Sequence, residues 1–382
     1  MELKEIYKNT EVGVIPEDWE VKPLFEIGVI ATGTTPPTNN KNNYGEDYFF
    51  VSPADLGKGK YIVDTEKKLS KLGFSIARKY PANSILFTCI GSTIGKAGIA
   101  KIELTSNQQI NAVFPNESYS SDFLFYYLNF ISPKIKLGAS EQAVPMINKT
   151  EFGKTFITLP TKAEQTAIAT ALSDADALIN NLEKLIAKKR NIKQGAMQKL
   201  LQPKEGWTIL PINSLANIST GAKNTQDKIE DGAYPFFVRS PNIERINSYS
   251  YDGEAILIAG DGVGTGKVMH YFNGKFDFHQ RVYKLSDFDS CINGLYFFLY
   301  FKNNFYNRIM QMTAKSSVDS IRRDMISNMM IPFPSKDEQT RIATILSDMD
   351  SEIQALETKL EKYRNIKLGM MQNLLTGKIR LV

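Results

Sequence analysis

Two glycine-rich runs place amide donors beside a lysine, the ingredients of a phosphate cradle: Gly91-Ser92-Thr93-Ile94-Gly95-Lys96 and Gly262-Val263-Gly264-Thr265-Gly266-Lys267. A nucleotide-binding loop needs four residues between its first Gly and its Gly-Lys pair, followed by Ser or Thr. Here three residues intervene, and Ala97 and Val268 follow the lysines, so the spacing excludes that loop. Backbone amides and small hydroxyls at Gly91, Ser92, Thr93 and Gly95, and at Gly262, Gly264, Thr265 and Gly266, instead allow close approach to nucleic-acid phosphates, with Lys96 and Lys267 supplying charge. A tight hairpin between strands is the structural alternative for both runs. Side chains that pair donors and acceptors, as base edges require, are Gln108, Gln109, Lys223 and Arg239, and then Asn242, His279, Gln280 and Arg281. The polar loops 138–142 and 313–317 add Ser140, Gln142, Lys315 and Ser316, and Arg322 with Arg323 could hold phosphates. A solvated surface loop is the bland reading of these.

Other chemistries lack their residues. The sequence has 2 His and 2 Cys with no paired ligand spacing, so no metal site is expected, and Cys89 and Cys291 read as buried core thiols inside apolar strand-like runs. Ile331-Pro332-Phe333-Pro334 lacks the polar lead and Pro-Pro doublet of an adenine clamp, so methyl transfer by this chain alone is not expected. No nuclease-like acidic cluster is readable, and no cofactor is implied. The net charge of +5 permits nucleic acid as a partner without requiring it. With 382 residues, 42% of them hydrophobic, the chain has material for two or three domains. No apolar run reaches membrane-spanning length and residues 1–10 lack a signal-peptide core, so a cytoplasmic location is expected.

The elements that must position these residues emerge from an internal repeat. Residues 160–201 align without a gap to 334–375 at an offset of 174, with 25 of 42 positions identical. Each copy opens with Pro and a capping box, Thr161 with Glu164 and Ser335 with Glu338. Apolar residues then recur at steps of four and three: Ile168, Leu172, Ala175, Ile179, Leu182, Ile186, and Ile342, Leu346, Met349, Ile353, Leu356, Leu360. That spacing predicts two coiled-coil helices of about 40 residues, ending before Pro203 and near Gly377. The preceding regions repeat more faintly. Trp19, Pro23, Thr32 and Gly33 answer to Trp207, Pro211, Thr220 and Gly221 at an offset of 188, whereas Ile85-Leu86, Gly91, Gly95-Lys96 and Gln109 answer to Ile256-Leu257, Gly262, Gly266-Lys267 and Gln280 at 171. The second copy is therefore about 17 residues shorter, in the stretch matching 34–84. Strands are expected over 84–89, 255–259 and 281–285, and short aromatic core helices over 122–130 and 293–302. The layout is α+β: a mixed domain over 1–159, a helix over 160–202, a second domain over 203–333 and a second helix over 334–382.

Several runs in this order resemble the DNA-specificity (S) subunits of type I restriction-modification systems. They are Gly13-Val14-Ile15-Pro16-Glu17-Asp18-Trp19, Val51-Ser52-Pro53-Ala54-Asp55-Leu56, Ile90 to Lys96, Gly274-Lys275-Phe276 with His279-Gln280-Arg281-Val282-Tyr283, the Glu-Gln helix starts, and Leu374-Leu375-Thr376-Gly377-Lys378-Ile379. The resemblance covers nearly the whole chain. Lys162 and Lys336 depart from it, standing where the family usually shows Leu, and the chain is shorter than many members. The resemblance implies two target-recognition domains related by a pseudo-twofold axis and separated by an antiparallel coiled coil. It also implies double-stranded DNA as ligand, two DNA methyltransferase subunits as partners, and restriction subunits in the full complex. The chain itself would be non-catalytic, each domain reading one half of an asymmetric split site. The rival expectation is a coiled-coil adaptor that joins two protein-binding domains without touching DNA.

Overall fold

The computed structural model describes residues 7–139, 144–262, 264–312 and 320–381. They divide into two compact units, one running to Lys184 and resuming at Thr358, the other spanning Leu185–Glu357. Both contain sheet and helix, and each takes a portion of both long helices.

In the first unit a five-stranded sheet has the order Ile30–Thr32, Ile110–Val113, Ile85–Thr88, Ala97–Ala100, Tyr61–Ile62. The second unit repeats its first four places: Asn217–Thr220, Val282–Ser286, Tyr251–Ala259, Met269–Phe278, followed by Tyr234–Phe237 and Glu244–Ile246. The strands expected near 85, 256 and 282 are thus present. The length difference also has a structural counterpart. The first unit also has a second five-stranded sheet, whose parallel pair of Tyr48–Val51 with Leu104–Ser106 and antiparallel pair of Tyr48–Val51 with Lys67–Leu69 answer to Tyr234–Phe237 with Met269–Phe278 and with Glu244–Ile246; among the described residues, its strands Tyr44–Gly45 and Lys79–Tyr80 have no counterpart in the second unit. Where the second unit has one ten-residue strand, the first unit has Ala97–Ala100 and Leu104–Ser106 in different sheets.

The four longest helices among the described residues are α1 (Ser121–Leu137), α2 (Lys162–Leu200), α3 (Gly294–Met312) and α4 (Lys336–Leu374). The 39-residue lengths of α2 and α4 agree with the repeat, whereas α1 and α3 run several residues beyond their expected ends. In α1 the helix continues through Pro133, which lacks the N–H that would bond the Asn129 carbonyl. The Ser132 hydroxyl donates to that carbonyl instead, at 2.9 Å. Aromatic residues of α1 and α3, including Phe123, Tyr126, Tyr296, Phe297 and Phe301, are buried with Trp19 or Ile256 in the respective unit cores. Burying each such side chain contributes about 1.5–3 kcal/mol. Cys89 is buried as expected, and burial pushes its thiol pKa up to about 12. Cys291 is only half-buried, because it precedes α3 at the surface.

The helix starts differ from their sequence reading in one respect. The Thr161 and Ser335 hydroxyls accept from the Glu164 and Glu338 amides, at 3.3 and 3.4 Å, so this half of the capping box is present. The carboxylates turn elsewhere. Glu164 is fully buried and accepts from Trp19 Nε1 (3.1 Å) and from Arg380 Nε (2.6 Å), while Glu338 pairs with Lys204 (3.6 Å). Lys162 and Lys336, the two departures from the family pattern, bond the carbonyls of Tyr119 and Ile292, residues just ahead of α1 and α3. Gln165 and Gln339 accept from the Ser120 and Asn293 amides at 2.8 and 2.7 Å, so both units tie their aromatic helix to their long helix in the same way.

Candidate nucleic-acid interface

In each unit, four chain segments far apart in sequence end at the same edge of the sheet. The glycine runs are hairpin tips: Thr88 N–H donates to Lys96 O (2.9 Å), and Ala259 N–H donates to Val268 O (3.1 Å). The structural alternative for these runs is therefore what they form, and it leaves their tips at the surface. Gly91 and Gly95 have φ of +94° and +101°, and Gly262 and Gly266 have +81° and +69°, a region that side chains with a Cβ rarely enter. The matched glycines are needed to turn the hairpins.

The second segment carries the glutamines. Cys89 N–H donates to Gln109 O (2.8 Å), and Gly260 N–H donates to Arg281 O (2.8 Å). The third comes from the strand that opens each sheet. A Cβ at Gly33 would lie 2.0 Å from Asn107 O, and one at Gly221 would lie 2.0 Å from Phe278 O. Only glycine permits this approach, which brings Thr35 to Gln108, its hydroxyl donating to Oε1 at 2.5 Å, and brings the Lys223 carbonyl to the Gln280 amide at 2.8 Å. The fourth contributes Pro145, whose carbonyl accepts from Gly91, and Ile321, whose amide donates to Gly260 O. Ser140, Gln142, Lys315 and Ser316 lie outside the described residues.

Several expected contact residues are exposed at these tips: Ser92, Lys96, Gln108, Arg239, Asn242, Gly262, Lys267, Gln280 and Arg281. Gly91, Thr93, Gly95, Gln109, Lys223 and Gly264 are half-buried. Lys96 lays its stem along Gly57, and Lys267 holds its ammonium 4.7 Å from the Tyr306 ring centre. Others are placed differently from a surface contact. Thr265 and Gly266 are buried, the Thr265 hydroxyl donating to Gly262 O within its own loop. His279 is 4% exposed, and its Nδ1 accepts from the Arg281 amide at 2.9 Å. Burial, with Arg239 nearby, lowers its pKa, favouring a neutral ring with its proton on Nε2. Arg323 is exposed but donates to Ile218 O (3.0 Å), away from the hairpin tip, whereas exposed Arg322 follows Ile321 directly.

The structure adds residues that the sequence did not single out. Asn107 both donates to Gln109 Oε1 (3.0 Å) and accepts from its amide (3.1 Å), fixing the carboxamide. Arg78 donates to Thr32 O (3.1 Å) beside the Thr35–Gln108 contact. Asp261 pairs with Arg239 at 2.9 Å. Asn107 was findable as the polar neighbour of the glutamines, but nothing local marks Arg78 or Asp261.

Because Lys96 and Lys267 occupy matching, exposed places with no fixed geometry toward a base, they suit phosphate contact. Replacing either by Ala should weaken binding to all duplex sequences and reduce the slope of log affinity against log salt by about one unit. A loss confined to particular base pairs would show base reading instead.

A duplicated, mixed α/β chain with a matching polar loop face in each copy is the class that this geometry defines. The chain belongs to the type I restriction modification DNA specificity domain family, which it matches over residues 16–194 and 204–363. It is 33% identical over 187 residues to the MjaIX specificity subunit of Methanocaldococcus jannaschii, covering 47% of this chain and 42% of that protein. Identity to the HindI specificity subunit of Haemophilus influenzae is 34% over 155 residues, 39% of this chain and 33% of that one. These two alignments thus span less than half of the relatives' length, whereas the MjaVIII specificity subunit of M. jannaschii aligns over 96% of this chain and 94% of its own, at 24% identity. In fold, the chain is similar to the crystal structure of the type I restriction-modification S subunit from M. genitalium, with TM-score 0.65 and 16% identity over 93% of this chain and 96% of that one.

Proposed function

We propose that this chain is the non-catalytic DNA-specificity subunit of a type I restriction-modification complex, with the domain over 1–159 reading one half of a split site and the domain over 203–333 the other. The observation that carries this reading is the duplicated loop face: corresponding four segments meet in both units, the hairpin and glutamine segments through matching backbone bonds, while most side chains at their tips differ. A shared scaffold with divergent tips suits two different half-sites on one duplex.

The helices 160–202 and 334–382 act, in this reading, as an antiparallel coiled coil that sets the separation of the two domains. Ion pairs support it. In the first unit Asp176 pairs with Lys367 and Glu183 with Arg364 (2.7 Å); in the second, Asp350 pairs with Lys193 and Glu357 with Arg190 (2.5 Å). Adding 174 to the α2 member of each first-unit pair, and subtracting 174 from the α4 member, gives the second-unit pair. That exchange supports the reading that the two helices pair as copies of one repeat. Ion pairs near the surface like these each contribute little, about 0–1 kcal/mol, and serve register more than stability. The same duplication leaves Ile192 and Ile366 about half exposed in identical Arg-Asn-Ile-Lys settings, which suits docking of two copies of one partner, the methyltransferase subunit. Restriction subunits join the full complex, in the cytoplasm.

The test is binding by the chain assembled with its methyltransferase subunits at physiological salt, against a panel of duplexes. A preference for one split sequence, on the order of 10³-fold or more over random duplex, is expected. Uniform or absent binding would favour the adaptor reading.

A further inference from the structure

We propose that Asp261 is a positioning residue for base reading in the second unit: its carboxylate fixes Arg239 and Arg281 so that their guanidinium groups meet base edges rather than phosphates. This rests on the reading that the second domain recognises a half-site.

Asp261 Oδ1 lies 2.9 Å from Arg239 NH1, and Oδ2 lies 3.8 Å from Arg281 Nε. One carboxylate thus hydrogen-bonds Arg239 through one oxygen and stands within ion-pair distance of Arg281 through the other. An acidic group on a face that meets phosphates opposes non-specific binding, so attraction to the DNA backbone does not account for it. What it supplies is order. A free arginine side chain loses rotamer freedom when it binds, and a carboxylate against the guanidinium removes part of that freedom before DNA arrives. With Nε facing Asp261, Arg281 keeps the NH1/NH2 edge, the two-donor edge that pairs with guanine O6 and N7. The side chains of Arg239 and Arg281 remain 45% and 66% exposed, and because Arg239 gives its NH1 to Asp261, the intact NH1/NH2 edge is that of Arg281.

The backbone that carries the carboxylate is itself held. Asp261 forms a ladder bridge with Ser320, and the neighbouring Gly260 accepts from Ile321 N–H (2.7 Å) and donates to Arg281 O (2.8 Å). The same short backbone path therefore carries both the acid and one of its arginines. Beneath them the buried His279 ring accepts the Arg281 amide at 2.9 Å, and a neutral ring there does not repel the guanidinium groups. In the first unit Ile90 stands at the place of Asp261, and Gln109, whose carbonyl takes the matching amide, stands at the place of Arg281, so this device belongs to one domain alone.

The experiment uses the chain assembled with its methyltransferase subunits and maps methylated sites at base resolution for wild type, Asp261→Asn, Asp261→Glu and Arg281→Lys, with thermal unfolding of each. Affinity for a duplex lacking the site is measured across salt concentrations. Asp261→Asn should keep the first half-site and the spacer but tolerate other bases at one or two positions of the second, with discrimination there falling roughly 10-fold. Its binding to the siteless duplex should tighten, with a steeper salt slope. Asp261→Glu should recover part of the discrimination. Arg281→Lys, which keeps the charge and loses the two-donor edge, should relax at least one of the same positions, and it decides the matter if Asp261→Asn unfolds. An unchanged map in Asp261→Asn or Arg281→Lys, or relaxation spread over both half-sites, would overturn the proposal. A wild-type complex that marks no split site would instead refute the half-site reading itself.

Discussion

Exchanging residues 207–333 for the matching domain of another family member should replace one half of the recognised sequence and leave the other half unchanged. The expectation follows from where the repeat is strong and where it is weak. The long helices share 25 of 42 positions, and both units tie them to the aromatic helix through the same Gln contact, so the foreign domain meets the seat it needs. The loop tips share the glycines that turn them, one lysine and one glutamine, and differ at most other positions. Few of the polar side chains proposed to read bases are common to both copies, so the exchanged domain should bring its own preference with it. Each lost base-pair contact costs about 1–3 kcal/mol, so several together abolish recognition of the original half-site. Methylated-site mapping reads the result directly. Change in both halves would mean that the domains do not read independently.

Replacing Arg380 by Ala should destabilise the first unit by about 3–5 kcal/mol, the cost of leaving a buried charge without its partner. Glu164 is fully buried, and Arg380 reaches it through two nitrogens, at 2.6 and 2.9 Å, while also bonding Asp18 at 2.8 and 3.0 Å. For a unit of this size the loss corresponds to roughly 2–4 °C of melting temperature per kcal/mol. Adding Glu164→Gln to Arg380→Ala should restore part of it, because the neutral amide removes the buried charge. The two Arg380 contacts also set a pH dependence. The hydrogen bond from Arg380 holds the Asp18 pKa below its ordinary value, so the stabilisation is present above the usual carboxylate range and is lost as pH falls through the lowered value. The gap between wild type and Arg380→Ala should therefore be smaller near pH 3 than at pH 7. Equal melting of wild type and Arg380→Ala at neutral pH would contradict this role.

The long helices were legible in the sequence because their determinants are local. A seam of steps four and three, a Pro and a hydroxyl at the start, and a gapless copy elsewhere in the chain located both to within a few residues. The hairpin glycines were legible as positions, though not as phosphate contacts or turns, since φ depends on the strands they join. The recognition face was only partly readable, because it is assembled from segments up to about 100 residues apart. Gly33 packs on Asn107, Gly221 on Phe278, and Asp261 reaches Arg239 and Arg281 across loop ends that no periodicity connects. His279 illustrates the converse, a residue whose type suits base reading but whose ring the fold buries beneath Arg281. Glu164 and Glu338 likewise suited a capping box, and tertiary partners of greater charge, Arg380 and Lys204, took their carboxylates.

The separation of two reading domains by paired helices is tested most directly by lengthening the helices. Four residues inserted near Ala187 add about 6 Å and turn the helix by about 40° beyond a full turn, which preserves the apolar seam. The matching insertion near Glu361 is made alone and together with the first, because a single insertion can be absorbed as a local bulge. Methylated sites are then mapped for the three assembled variants. With about 3.4 Å per base pair, the expected result is a spacer longer by one or two base pairs, with both half-site sequences kept. The original spacer in all three variants would contradict the coiled coil as the element that sets it.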